Sequence, residues 1–140
     1  MKKLFFAVLI FFISCGEEDN QPEENDQPDE ITNEILLAGE NQKTWMMTKY
    51  QGGNPIACVR DNELVFRSDK TYSNLETGEI CTPGYGETGS WVFINDSMIN
   101  KSPENSLSIA YTIITLNDST LNWKYTLGMQ TRTEVYQKKK

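Results

Sequence analysis

The chain has 140 residues, with 13 lysines and arginines, 20 aspartates and glutamates, and no histidine. Because Ser-His hydrolases and most zinc sites depend on histidine, we predict a non-enzymatic protein without a metal or a cofactor. The acidic excess is concentrated in residues 16–30, so the rest of the chain is close to neutral and has no basic surface for nucleic acid.

The first fifteen residues have the pattern of an export signal. Residues 1–3 carry two lysines, residues 4–13 are an uninterrupted apolar run, and Ser14-Cys15 provides small residues for cleavage. Ten apolar residues span roughly 15 Å as a helix, about half the hydrocarbon core of a bilayer. The sequence therefore predicts a signal peptide over residues 1–14 and not a transmembrane anchor.

Ile13-Ser14-Cys15 resembles the lipobox of bacterial lipoproteins. The resemblance implies that Cys15 is acylated and anchors the protein to a membrane; an ordinary secreted protein with an unmodified cysteine is the alternative. Residues 15–30 then form a lipidated cysteine and a disordered acidic tether, because the segment has almost no apolar side chain to bury.

Glu17-Glu18-Asp19 resembles the surface-export signal of some Gram-negative lipoproteins. That resemblance implies an outer-membrane protein that faces the cell surface, whereas a solvated spacer on a periplasmic protein is the alternative. Both interpretations place the protein in an oxidising compartment.

Cys58 and Cys81 remain as an even pair once Cys15 carries lipid. In an oxidising compartment a disulfide is the default state of such a pair, and their spacing is not that of a CxxC redox motif. We predict a structural disulfide that closes a loop of about 24 residues and stabilises the fold by roughly 3 to 4 kcal/mol.

Residues 31–140 are predicted to form one all-β domain with one short N-terminal helix. The helix lies within "EITNEILLAG", with Asp29 as its N-cap and Gly39 as its stop. After it come eight strand-like segments: "KTWMMTKY", "ELVFRS", "KTYSNLE", "GSWVFIN", "SMINKS", "LSIAYTIITLN", "TLNWKYTL" and "QTRTEVYQ". Short turns such as "SDK", "IND" and "LND" join them, which favours an eight-stranded antiparallel up-and-down barrel.

Alternation along the strands predicts which side chains face the interior. Leu121, Trp123 and Tyr125 alternate with polar residues and are expected inside. The "GSWVFIN" strand is apolar on both faces, so Val92 and Ile94 need a cover on the outside. The short helix is the expected cover.

The order of these features resembles the lipocalin-like domain of small bacterial lipoproteins over residues 31–137. The features are the leading helix, Trp45, Cys58, "DNELVFRSDKTYS", Cys81, "GSWVF" and "YTIITLNDSTLNW". The second hairpin departs from the family pattern F-x-x-D-G-T-Y, because Lys70 stands in place of the glycine. The resemblance also implies that Arg132 stacks on Trp45; an exposed Arg132 is the alternative.

The resemblance further implies a calyx for a small apolar molecule. Its expected ligand-binding lining is Phe66, Tyr72, Trp91, Phe93, Trp123 and Tyr125. The alternative is that these side chains fill the barrel as a core.

Two functions follow from these alternatives. One is a membrane-anchored lipoprotein that binds a small ligand, either a small hydrophobic molecule or a glycan. The other is an interaction or inhibitor protein that contacts an envelope or extracellular protein through the long loops at residues 51–62 and 76–88.

Two hairpin turns carry a near-repeat, "INDSMI" at residues 94–99 and "LNDSTL" at residues 116–121. Asp96-Ser97-Met98 and Asp118-Ser119-Thr120 resemble the O-glycosylation acceptor of exported proteins in some Gram-negative bacteria. The resemblance implies glycans on Ser97 and Ser119, and turn chemistry alone is the alternative.

Overall fold

The computed structural model describes residues 31–140, which form a closed eight-stranded antiparallel barrel, as predicted. The elements are α1 (Asn33–Ala38), β1 (Gln42–Tyr50), α2 (Ala57–Arg60), β2 (Glu63–Arg67), β3 (Thr71–Leu75), β4 (Glu87–Asn95), β5 (Met98–Pro103), β6 (Ile109–Leu116), β7 (Thr120–Leu127) and β8 (Gln130–Lys138). α2 is a single turn that the sequence did not predict. The predicted signal peptide, Cys15 and acidic tether lie outside the described residues.

Each strand pairs with the next one along the chain, and β8 pairs with β1 to close the barrel. This topology places the connections alternately at two ends. The closed end carries α1 and the three short turns β2–β3, β4–β5 and β6–β7. The open end carries the other four connections, residues 51–62, 76–86, 104–108 and 128–129. Neither helix in residues 31–140 is long and apolar enough to cross a membrane.

α1 seals the closed end. Thr32 caps it, because its Oγ1 accepts a hydrogen bond from the Ile35 amide at 3.3 Å, so the prediction of Asp29 as N-cap is wrong. The helix buries Leu37 and Ala38 in the barrel core. The C-terminal end of the helix is bonded to the first strand, since Trp45 Nε1 donates a hydrogen bond to the Leu37 carbonyl oxygen at 2.9 Å.

The helix does not cover the outside of β4, so that prediction is wrong. Val92 and Ile94 remain 54 and 55% exposed. The physical reason is length: α1 has six residues, and its two buried side chains are used to close the barrel over Trp45.

The half of the barrel next to the closed end, here called the lower half, is filled by large side chains. Trp123 and Leu121 are fully buried, as the alternation in β7 predicted. Phe66 lies at the centre, with its ring centroid 5.8 Å from that of Trp91 and 6.0 Å from that of Trp123, both in edge-to-face geometry. Edge-to-face aromatic pairs contribute about 0.5–1.5 kcal/mol beyond their buried area.

The β2–β3 turn explains how a lysine replaces the family glycine. Lys70 has a φ of 69°, a left-handed conformation that glycine adopts without strain. The Asp69 carboxylate holds the turn by accepting from the Thr71 amide at 2.9 Å. The lysine side chain makes contacts that glycine cannot, because it pairs with Glu34 of α1 and lies 4.5 Å from the Trp91 ring centroid.

Candidate functional site

A cavity of about 360 Å³ opens at the end of the barrel opposite α1. It begins where the aromatic filling of the lower barrel stops. Its apolar lining is Met47, Pro55, Ile56, Val59, Ile109 and Leu127, its tyrosines are Tyr50, Tyr85, Tyr111, Tyr125 and Tyr136, and its other polar residues are Asn54, Asn62, Asn74, Glu87, Lys101, Arg132 and Glu134. The cavity is therefore amphipathic.

The predicted disulfide is confirmed, and it joins two of the loops that surround the cavity mouth. Cys58 lies in α2 and Cys81 in the β3–β4 loop, with their Cα atoms 5.2 Å apart. Two carboxylates fix the same loops: Asp61 accepts from the Glu79 amide at 2.9 Å, and Glu76 accepts from the Tyr85 amide at 3.0 Å. The rim on this side is thus covalently and electrostatically tied together.

Glu134 is the centre of a buried hydrogen-bond network in the cavity wall. Its carboxylate accepts from Trp123 Nε1 at 2.7 Å, from the Tyr136 hydroxyl at 3.0 Å and from the Tyr125 hydroxyl at 3.1 Å. These three donors satisfy a charge that would otherwise be costly to bury. The carboxylate is consequently committed to the protein.

Lys101 is the buried cation of the opposite wall. Its Nζ donates to Glu87 at 3.0 Å and lies 4.3 Å from the Tyr72 ring centroid and 5.4 Å from that of Tyr111. An ion pair and two aromatic faces therefore compensate its charge. The cavity lining thus contains two positive side chains, Lys101 and Arg132, and two negative ones, Glu87 and Glu134. Its formal charge is therefore zero.

Three of the cavity tyrosines, Tyr111, Tyr125 and Tyr136, are held in their neutral form. Burial raises the pKa of Tyr111, Tyr125 and Tyr136 far above the ordinary value, and the Glu134 carboxylate raises each of them further. Burial also raises the pKa of Tyr72, with Glu87 as the next cause. The phenols therefore remain hydrogen-bond donors at neutral pH.

Two polar groups in the lining have unused hydrogen-bonding capacity. Asn62 is only 5% exposed, yet neither Nδ2 nor Oδ1 has a hydrogen-bond partner within residues 31–140. Arg132 Nε is also buried without a partner in this part of the chain. Buried polar atoms of folded proteins are nearly always satisfied, so these positions indicate where a bound molecule would contribute partners.

A family model described as a lipocalin-like domain matches residues 42–123. The chain belongs to this family. The matched residues run from β1 into β7 and include both half-cystines and much of the cavity wall, so the lipocalin-like domain is the unit that carries the candidate site. No curated protein matches the sequence.

In the lipocalin-like domain, the six residues predicted to bind a ligand lie at two depths in the barrel. Tyr125 lines the cavity. Phe66, Tyr72, Trp91 and Trp123 are buried in the filled part below it, and Phe93 is partly buried against Trp91 with ring centroids 5.9 Å apart. Five of the six thus lie outside the cavity lining.

Sequence reasoning did not identify Asn62, Lys101, Arg132 and Glu134 as cavity residues. Charged residues on strands are ordinarily solvated, so residue type alone does not mark Lys101, Arg132 and Glu134 as exceptions. The one usable signal is the two-residue period of a strand, in which every second side chain points to the same face. Lys101 follows the buried Ile99 by two residues, and Glu134 precedes the buried Tyr136 by two.

The predicted stacking of Arg132 on Trp45 is wrong. Arg132 lies at the cavity, whereas Trp45 belongs to the closed end, where Lys43 Nζ is 5.3 Å from its ring centroid. Lys43 also donates to the Leu36 carbonyl at 2.7 Å and so ties β1 to the helix. A first-strand lysine therefore takes the position above the tryptophan.

The two predicted acceptor serines lie on exposed turns at the closed end. Ser97 and Ser119 each donate a backbone N–H to the side-chain oxygen of the asparagine two residues earlier, both at 3.0 Å. The near-repeat in sequence is therefore a repeat of the same turn chemistry. No cluster of potential metal ligands occurs among the residues that the structure describes.

Proposed function

We propose that this protein is a membrane-anchored lipoprotein whose lipocalin-like barrel binds a small molecule in the open-end cavity. The observation that carries the proposal is the cavity itself: about 360 Å³ of space above a filled core, with buried polar atoms that lack partners. A barrel of eight strands can be filled by its own side chains, so the fold alone does not require a space of this size at one end.

The test is the content of the cavity in protein purified from the native host. Full-length protein with Cys15→Ala avoids detergent, and native mass spectrometry should show a small molecule that leaves when the protein unfolds. Protein refolded from denaturant gives the reference mass. If the native and refolded masses agree and neither form binds alkyl probes, ligand binding is refuted.

The membrane anchor is a separate part of the proposal and rests on the sequence around Cys15. Acylation of Cys15 would hold the protein on a membrane because each buried methylene contributes about 0.8 kcal/mol. Cys15→Ala should move the protein from the membrane fraction to the soluble fraction. Cys58→Ser with Cys81→Ser is the matched control, since it removes cysteines but should leave the partitioning unchanged.

The acidic residues Glu17-Glu18-Asp19 support an outer-membrane location with the domain facing the cell surface. A protease added to intact cells should then degrade the protein, and replacement of the three acids by serine should protect it. Protection of the wild-type protein in intact cells would place the domain in the periplasm.

Exposed apolar residues on the rim favour a second candidate, contact with an envelope or extracellular protein. All four open-end connections carry such a residue: Ile56, Ile80, Leu107 and Met129, with Leu107 87% exposed. A photo-crosslinking amino acid at Leu107 should capture a partner protein if this function applies. The same group at Asp96, on the opposite end, is the control.

Ser97 and Ser119 are proposed O-glycosylation sites. Both lie on exposed turns, where a glycan would contact little of the fold. Protein from the native host should carry hexose-containing additions that disappear in Ser97→Ala with Ser119→Ala. An intact mass equal to the sequence mass plus lipid would refute modification.

A further inference from the structure

We infer that the cavity selects an amphipathic molecule with an uncharged head group that both donates and accepts hydrogen bonds, and that Asn62 binds this head. The inference rests on the proposed ligand-binding function and specifies its ligand class. It follows from which cavity groups are committed to the protein and which are not.

Three of the four charged groups of the cavity are committed, and the pKa of the fourth, the Arg132 guanidinium, is raised chiefly by Tyr125 and further by the electrostatic field of the Glu134 carboxylate. Glu134 already accepts three hydrogen bonds, and Lys101 is paired with Glu87. A ligand that brought a carboxylate would meet Glu87 and Glu134, and a ligand that brought an ammonium group would meet Lys101 and Arg132. Because the four charges sum to zero, a charged head would lose its hydration without gaining a net counter-charge.

Asn62 is the group left free. Its carboxamide has two N–H donors and one carbonyl acceptor, and neither atom has a partner within residues 31–140 although the side chain is 95% buried. A carboxamide is matched by a group that can donate and accept at once, such as an amide or a hydroxyl. Arg132 Nε adds a further buried donor to the same cavity.

The exposed apolar residues at the mouth set the orientation of the ligand. The polar groups Asn62, Lys101 and Glu134 are buried, whereas the lining residues Ile56 and Leu127 are exposed at the mouth. The head group therefore enters first, and the apolar part of the ligand lies against the rim.

Three probes with the same heptyl chain separate the head-group classes: octanamide, octanoate and heptyltrimethylammonium. The amide and the carboxylate have nearly the same shape, so they differ mainly in charge. We expect full-length protein with Cys15→Ala to bind octanamide about tenfold more tightly than either charged probe at neutral pH, as measured by calorimetry, because a buried charge lacks compensation. Tighter binding of octanoate would overturn the inference and leave ligand binding intact; binding of none of the three, together with equal native and refolded masses, would overturn both.

Asn62→Leu tests the residue. Leucine has a similar shape and removes two unsatisfied polar atoms, so the ligand-free variant should unfold at the same temperature as the parent or higher. Its affinity for octanamide should fall about tenfold, with octanoate affinity unchanged. A lower unfolding temperature together with weaker binding of all three probes would show that Asn62 supports the fold and would overturn its assignment.

Asn122→Leu is the matched control. Asn122 Oδ1 is also buried without a partner in the described chain, but Asn122 does not line the cavity. Its replacement should leave the affinity for all three probes unchanged. A loss of octanamide affinity in this variant equal to that in Asn62→Leu would also overturn the assignment.

Discussion

Alkaline pH should destabilise this barrel through its buried tyrosines. Tyr111 and Tyr136 are both 7% exposed, and burial is the main cause that raises the pKa of each one. In the unfolded chain the same phenols ionise near pH 10. The raised pKa in the folded state therefore contributes stability that is complete below about pH 10 and is lost as the pH rises beyond that value.

The size of the effect follows from proton linkage. From about pH 9 to about pH 11, each tyrosine that ionises only in the unfolded chain should lower the free energy of unfolding by about 1.4 kcal/mol. Tyr111 and Tyr136 together should account for about 3 kcal/mol, a large fraction of the stability of a typical small domain.

Urea unfolding at several pH values in this range, in wild-type protein and in Tyr136→Phe, measures the contribution of one residue. The variant keeps the ring but loses the titrating hydroxyl. The difference between the two stabilities should therefore shift by about 1.4 kcal/mol over the range. Parallel curves for the two proteins would refute the assignment of a raised pKa to Tyr136.

Three further perturbations test the fold. Replacing Cys58 and Cys81 by serine should lower the free energy of unfolding by about 3 to 4 kcal/mol in urea, and a reductant should have no effect on that variant. Gly89→Ala should lower the free energy of unfolding by about 1–3 kcal/mol, because the new Cβ would lie 2.3 Å from the backbone carbonyl oxygen of Ser102. Gly53→Ala is the control and should change the free energy of unfolding little, because the nearest atom to its new Cβ is 3.8 Å away. Lys70→Gly should be about 1 kcal/mol more stable than Lys70→Ala, since both lose the contacts to Glu34 and Trp91 but only alanine keeps the left-handed strain; equal stabilities would contradict that account.

The strands were predictable because their pattern is local. Leu121 and Trp123 alternate with polar residues, and both are fully buried where the alternation placed them. The disulfide was predictable for a similar reason, because the chain has few cysteines and the predicted export signal implied an oxidising compartment.

The cavity was not predictable because its chemistry depends on register. Glu134 meets Trp123 because these residues are direct partners in the β7–β8 pairing, and Lys101 reaches Glu87 across the β4–β5 pair. Asn62 lies in a loop, and nothing in its neighbours indicates that its amide is buried and free. The location of α1 also escaped prediction, since its sequence fits either a barrel wall or a barrel end.

Both ends of the described chain lie on the side of the barrel away from the cavity. The first helix packs at the closed end, where Asn33 Nδ2 donates to the Asp96 carbonyl at 3.0 Å, and the last residues return to the start of β1, where the Lys139 amide donates to the Thr44 carbonyl at 2.8 Å. A sensor chip, bead or fusion partner attached through either end would therefore leave the mouth facing solution. Immobilised protein should bind small molecules with the same affinity whichever end carries the attachment.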